Sequence, residues 1–281
     1  SNQGKNGLAY LKIPIDARAI GMGEAYTAVT EDASAVYWNP AGLLGARRSN
    51  VLFNHNEWLQ GVRGEFAALS FVREKSAWGF HLRSFNIAEI PVRVIASTDP
   101  LENTSAHYFS AGISYARRMN DKLNVGITVK YLFEKIYVES ATGFAADLGM
   151  DYQTGVTGLK LAATVQNLGK MGVLRSEGSQ LPLISRVGLQ YLVPWQTDQL
   201  RGRLASDVVY ITDENVRFHV GTEWLVWQQI AVRGGFLVGY DARNFSLGLG
   251  FNRSALRLDY GYIPFGEDLG STHRFTLSFL L

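Results

Sequence analysis

Two carboxylates, Asp147 and Asp151, stand four residues apart on a segment that alternates apolar and polar residues. Alternation puts both on one face of a strand, the arrangement that acid–base chemistry between paired carboxylates would need. Arginines on the same interior face, such as Arg186 or Arg217, give the pair a plainer role as ion-pair partners. Nucleophilic chemistry lacks its signature, because the chain has no Gly-x-Ser-x-Gly elbow. The five histidines, His55, His81, His107, His219 and His273, lack metal-ligand spacing. Cysteine is absent, which excludes disulfides and any Cys-based zinc or redox site. Gly21 and Gly23 sit outside any strand–turn–helix unit, so they read as close-packing positions and not as a phosphate fingerprint. No catalytic residue, metal ligand or cofactor is expected, and the chain does not read as an enzyme.

Composition narrows the class. Lys plus Arg number 27 and Asp plus Glu 25 in 281 residues, a net charge of +2. That balance offers no basic field for a nucleic acid. Charged residues reach only 19%, below the ~25% usual in soluble domains. A hydrophobic share of 47% argues against disorder. No apolar run approaches the ~18 residues of a transmembrane helix. Mean hydropathy is near zero, as in a soluble protein and also in a transmembrane β-barrel, whose lumen-facing half is polar.

The elements that must position these side chains are strands. Leu123, Val125, Ile127, Val129, Tyr131 and Phe133 alternate with Lys122, Asn124, Gly126, Thr128, Lys130 and Glu134. Leu256, Leu258, Tyr260 and Tyr262 alternate with Arg257, Asp259 and Gly261. A period of two sustained over about ten residues predicts strands and excludes helices. About fourteen such segments follow residue 48, near 49–57, 63–73, 76–90, 105–118, 122–135, 142–153, 158–168, 181–193, 200–211, 215–227, 229–238, 243–251, 254–262 and 271–281. Outer-membrane barrels have an even strand number, short turns on one side and longer loops on the other. Short inner turns are expected at 73–76, 119–121, 154–157, 227–229 and 252–254, and longer outer loops at 91–104, 169–180 and 263–270. The connections 194–199 and 212–214 depart from that parity.

Arg186, Arg217, Glu223, Arg233, Arg257, Asp259 and Arg274 all fall on the polar face of their strands. A charge at mid-depth on a lipid face costs roughly 2–4 kcal/mol, so these side chains should point into the lumen. Aromatics gather near strand ends, among them Trp58, Trp78, Tyr152, Trp195, Tyr210, Trp227 and Tyr262, as interfacial girdles would. The expected fold is an all-β transmembrane antiparallel barrel of about fourteen strands, residues 49–281.

Residues 1–48 have a different texture. Asp16 and Asp32 are N-cap residues for short helical turns, and Asn39-Pro40 is a turn or helix-start signal. The segment is too small for its own core, so it is expected as a helical and loop hatch inside the barrel. The polar opening Ser1–Asn6 has neither the basic nor the apolar region of a signal peptide. The strand pattern favours a mature, exported chain whose signal has been removed.

The stretch Gly21-Met22-Gly23-Glu24-Ala25-Tyr26-Thr27-Ala28-Val29, followed by Glu31 to Leu43 with Asp32, Ser34, Trp38, Asn39, Pro40, Ala41 and Gly42, resembles the opening of the PorV/PorQ family of outer-membrane proteins. Its second half is also similar to the hatch of FadL-type transporters, which carries an Asn-Pro-Ala triplet. The Asn167-Leu168-Gly169 step is a further family-like feature. Phe275, Leu277, Phe279 and Leu281 resemble the C-terminal signal read by the outer-membrane insertion machinery, although Leu281 replaces the usual final aromatic. The resemblance implies a fourteen-stranded barrel in the bacterial outer membrane, in contact with lipid. It implies one of two functions. A PorV-like component of type IX secretion would bind a translocon subunit or the signal domain of secreted cargo, using the outer loops 91–104 and 169–180. A FadL-like transporter would pass a hydrophobic small molecule through the barrel. A polar, filled lumen favours the first, and a closed apolar lumen pocket beside a broken wall strand favours the second.

Overall fold

The computed structural model describes residues 8–92, 102–174, 177–178, 180–197, 199–266 and 268–281. The alternating segments become strands β1 (Asn50–Glu57), β2 (Arg63–Val72), β3 (Ser76–Val92), β4 (Glu102–Arg118), β5 (Leu123–Ile136), β6 (Glu139–Gln153) and β7 (Leu159–Met171). After a short hairpin of β8 (Val173–Leu174) and β9 (Glu177–Gly178) come β10 (Ile184–Leu192), β11 (Leu200–Ile211), β12 (Arg217–Val226), β13 (Ile230–Val238), β14 (Phe245–Arg253), β15 (Leu256–Phe265) and β16 (Gly270–Leu280). All except β8 and β9 join one closed antiparallel barrel of fourteen strands, with β7 against β10. The barrel closes where β1 meets β16, from Asn50 opposite Leu280 to Glu57 opposite His273.

The expected outer loops are shorter than the sequence reading had them. β3 and β4 extend to Val92 and from Glu102, and the rest of that loop, 93–101, lies outside the described residues. β15 runs on to Phe265: Ile263 breaks the apolar–polar alternation in sequence, yet it takes the inner-face position after Asp259 and Gly261 and is fully buried there. Pro264 is tolerated there because it pairs with Ser271 close to the strand end.

The inside-out character of the barrel is explicit. Leu82, Val232, Leu249 and Phe275 are about half exposed on the outer wall, at 55, 47, 56 and 51%. Arg233, Asp259 and Arg274 are buried on the inner face, at 3, 4 and 0%. A soluble sandwich would invert this. Leu249→Arg, midway along β14, is therefore expected to lower stability in lipid vesicles by roughly 2–4 kcal/mol, while Leu249→Phe stays near neutral. Denaturant unfolding of both variants in vesicles checks this.

Residues 8–46 fill the barrel with two short helices, α1 (Ala17–Gly21) and α2 (Ala35–Trp38), and 3-10 turns at Ala9–Lys12 and Pro40–Gly45. The main core is not between sheets but between this insert and the wall. Met22, Tyr26, Trp38 and Leu43 pack with Leu52, Phe66 and the small inward residues Ala68, Ala77, Ala116 and Ala205. An interior wider than the wall side chains can span is thus closed by the chain's own N-terminal segment.

Candidate functional site

The insert is seated by two local devices. Asp16 caps α1 by accepting a hydrogen bond from Arg18 N at 3.2 Å. α1 then ends at Gly23, whose φ of 63° lies in the left-handed region, and Glu24 N returns to Ala19 O at 2.9 Å. The wall offers α1 a seam without side chains, since Gly221 pairs with Gly235 and Gly248 with Gly261 on neighbouring strands. A Cβ on Gly221 would lie 2.1 Å from Met22 O, and one on Gly248 would lie 2.7 Å from Gly21 Cα. Backbone therefore packs on backbone, and Gly23 N donates to Ser246 Oγ at 2.9 Å.

The second device is the Asp32–Gly42 stretch. Asp32 Oδ1 accepts from Ser34 N at 2.9 Å and from Ser34 Oγ at 2.5 Å, ahead of α2. Asn39 caps the next turn through Ala41 N at 3.1 Å, with Pro40 in the first position. The Asn39 amide donates to Thr27 O at 3.1 Å and to Asp151 Oδ1 at 2.5 Å, tying the insert to itself and to β6. Gly149 leaves room for Asn39, and Gly126 for the Pro40–Ala41 peptide. Gly42 packs on Thr30, and Trp38 sits edge-on to Tyr26 and Tyr37 at 5.6 and 5.3 Å.

Charges lock the two parts together. Arg18 on α1 meets Glu223 on β12 through two contacts of 2.8 and 2.7 Å. Glu223 also contacts Arg233 at 2.7 Å, Arg233 contacts Asp259 at 2.8 Å, and Asp259 contacts Arg257 at 2.8 Å. Arg257 returns to Asp32 of the insert. Glu31 joins Arg18 and Arg203 at 2.9 and 3.0 Å, but its side chain is 38% exposed and solvent screens it.

Burial raises the Asp16 carboxyl from 3.8 to about 7, and the negative charge of Asp32 adds to the rise. Burial also works against the charge of Asp32, yet Arg257 and then Arg18 outweigh it and hold that carboxyl at about 2. Glu24 is held at about 2 against its burial by Arg243, with His219 and Arg186 behind it. The signs differ. Asp16 is neutral in the folded protein up to about 7, so its contribution is full below 3.8 and is lost as pH rises through about 7. Asp32 and Glu24 contribute above their ordinary values of 3.8 and 4.5, and lose that contribution as pH falls toward about 2. Asp16→Asn keeps the cap acceptor and removes the titration. It is expected to leave stability unchanged at pH 4 and to raise it relative to wild type at pH 8, as read by denaturant unfolding at both pH values.

The Asp147–Asp151 pair is not partnered by Arg186 or Arg217. Asp147 contacts Lys130 at 2.7 Å, and Asp151 contacts Asn39 and, at 3.5 Å, Lys160. Lysines on the adjacent strands reach the carboxylates before any arginine across the lumen can. Arg217 pairs with Glu214 at 2.5 Å, and Arg186 lies over the Trp38 ring at 5.1 Å. Trp58, expected in a girdle, turns into the mouth against Phe265 at 5.6 Å, under the guanidinium of Arg274. Phe275 and Phe279 face outward on β16, with Leu277 half-buried between them, and Leu281 follows the strand, its N–H on Ser49 O at 2.8 Å. Among the residues that tie the insert to the wall, the sequence reading missed Arg18, Glu24, Arg203, Asp207 and Arg243. Arg203 and Asp207 lie on the inner face of β11 at period-two spacing and were findable by parity. Arg18, Glu24 and Arg243 stand on irregular or short segments with no periodic signal.

The family model of the type IX secretion system protein PorV matches residues 3–162, more than half of the chain. The chain belongs to the PorV family. PorV-family membership, with the closed barrel, makes it an outer-membrane component of type IX secretion. None of the curated proteins matches it. Solved structures share the fold. The toluene transporter TbuX of Ralstonia pickettii superposes with a TM-score of 0.64 at 13% identity, over 93% of this chain and 96% of that one. The toluene transporter TodX of Pseudomonas putida gives 0.63 at 10%, over 92% and 95%. A Pseudomonas aeruginosa FadL homologue gives 0.59 at 11%, over 94% and 98%. The family is one of secretion-system barrels, and the solved structures share the fold alone.

Proposed function

We propose that this PorV-family barrel is a plugged adaptor of type IX secretion, in which residues 1–48 act as the hatch and the outer rim engages a translocon subunit or the signal domain of secreted cargo. The observation that carries this reading is the filling of the lumen. Residues 8–44 are buried almost throughout and are bonded to the wall by backbone packing and buried ion pairs. A conduit for hydrophobic molecules calls for an apolar chamber inside. Two apolar hollows of about 790 and 710 Å³ are instead lined largely by outward residues such as Phe53, Ala67, Leu82 and Ile113. The wall irregularity between β6 and β7 is occupied by Lys130, Asp147 and Asn167, with contacts of 2.6 and 2.7 Å. Likeness to the transporters TbuX and TodX supports transport only at the level of fold.

Affinity capture of the tagged, detergent-extracted protein tests the reading, together with conductance in planar bilayers. Co-recovery of a large outer-membrane subunit or a secreted cargo protein, and a closed baseline, are expected. Recovery alone with a copurified apolar compound would favour the transporter.

A further inference from the structure

The end of the lumen that carries the 239–244 and 266–269 connections holds charge that the Glu223 network does not use. Arg274 on β16 is fully buried, and none of its three guanidinium nitrogens has a hydrogen-bond partner among the described residues. The Trp58 ring lies 5.0 Å from its Cζ. Two further polar atoms on the same inner face are orphaned. They are Asn56 Oδ1, on the residue paired with Arg274 across the β1–β16 seam, and Thr272 Oγ1, two residues along β16. The surroundings do not neutralise the group. Glu24, the carboxylate that acts on Arg274, is already taken by Arg243, while Arg243 and Arg83 both repel Arg274. Across the lumen Arg186 has two unpartnered nitrogens, but Asp207 acts on it and keeps an unpartnered Oδ1, its Oδ2 being taken by Tyr26 N, Thr27 N and Thr27 Oγ1, so those two charges offset each other. Around Arg274 itself, three guanidiniums, Arg274, Arg243 and Arg83, therefore stand against Glu24.

A buried guanidinium without an acceptor is strongly unfavourable, and a planar donor fork is matched by an oxyanion. We propose that Arg274, with Asn56, Thr272 and Trp58 around it, is a binding site for an oxyanion of the phosphate type on the inner face of β1 and β16. Thr272 donates its hydroxyl, Asn56 serves the anion only with its amide turned over so that the NH2 stands where the orphaned Oδ1 now is, and the surplus of arginine charge draws the anion in. The site is independent of the adaptor reading, because it needs no protein partner.

Isothermal titration of the detergent-solubilised full chain tests the site, at neutral pH and matched ionic strength, with inorganic phosphate and, separately, decyl phosphate below its micelle concentration. Saturable binding of inorganic phosphate assigns a free anion. Binding of decyl phosphate alone assigns the headgroup of an amphiphile. Arg274→Gln is expected to weaken the binding roughly 10- to 100-fold. Thr272→Val, which keeps the strand and the shape, is expected to weaken it roughly 2- to 10-fold and serves if the arginine variant does not fold. Absence of heat with both probes overturns the site, as does unchanged affinity in the variants.

Discussion

Glu223→Ala is expected to lower the stability of the seated hatch by about 3–5 kcal/mol. Glu223 is 8% exposed and contacts Arg18, Arg233 and, at 3.7 Å, Arg203. Counted together, the network holds four guanidiniums, Arg18, Arg203, Arg233 and Arg257, against four carboxylates, Glu31, Asp32, Glu223 and Asp259. Asp16 stays outside the count below about pH 7, where it is protonated. Removing Glu223 leaves one buried positive charge in excess, and the cost arises from that exposed imbalance more than from the lost contacts. A second variant separates the two. Arg18→Met with Glu223→Ala restores the charge count, so the pair should be less damaging than the sum of the singles, with a coupling of about 1–3 kcal/mol. The readout is proteolysis within residues 8–48 alongside denaturant unfolding of the barrel. Additive losses would show that the hatch is held by the glycine seam alone.

Period-two alternation was enough to place Arg233, Arg257 and Asp259 on the inner face, because the face of a strand follows from parity alone. Their partners did not follow, because pairing depends on the stagger between strands. Asp147 shows the limit. It sits two residues off the direct partner of Lys130 in the β5–β6 ladder, with Thr128 opposite it and Ala145 opposite Lys130. No single-strand pattern contains that offset. The hatch was legible in a different way. Asp16, Asp32 and Asn39 announced caps, and each does accept a backbone N–H close by. That Asn39 would also reach Asp151, 112 residues away, could not be read locally. Glu24 and Arg243 lie further still from any signal, since neither a helix turn nor a strand period fixes where they point. Gly126 and Gly261 stood on the polar face of their strands, and the structure supplies the reason, which is the close approach of a second backbone at Ala41 and Ala17.

Gly235→Val is expected to dislodge the hatch while leaving the barrel closed. A Cβ on Gly235 would lie 2.1 Å from Gly23 N, 2.4 Å from Gly23 Cα and 2.4 Å from the Met22 carbonyl carbon. All three are backbone atoms of a segment fixed by α1 and by the left-handed Gly23, so no side-chain rotation relieves the clash. Overpacking of this kind costs about 1–3 kcal/mol where the surroundings can yield, and more where they cannot. Valine itself suits a strand, so β13 should pair as before. The adjacent Gly234 is the control. It meets nothing within 4 Å, and Gly234→Val adds apolar surface to the outer wall without touching the insert. The same residue change at two neighbouring positions thus separates damage to the sheet from damage to the seam. Gly235→Val should open residues 8–48 to protease and raise bilayer conductance above the closed baseline, and Gly234→Val should do neither. A closed, protease-resistant Gly235→Val barrel would mean that the ion pairs of Glu223 and Asp32 can hold the insert after it has left the glycine seam, and the seal would then be electrostatic rather than steric.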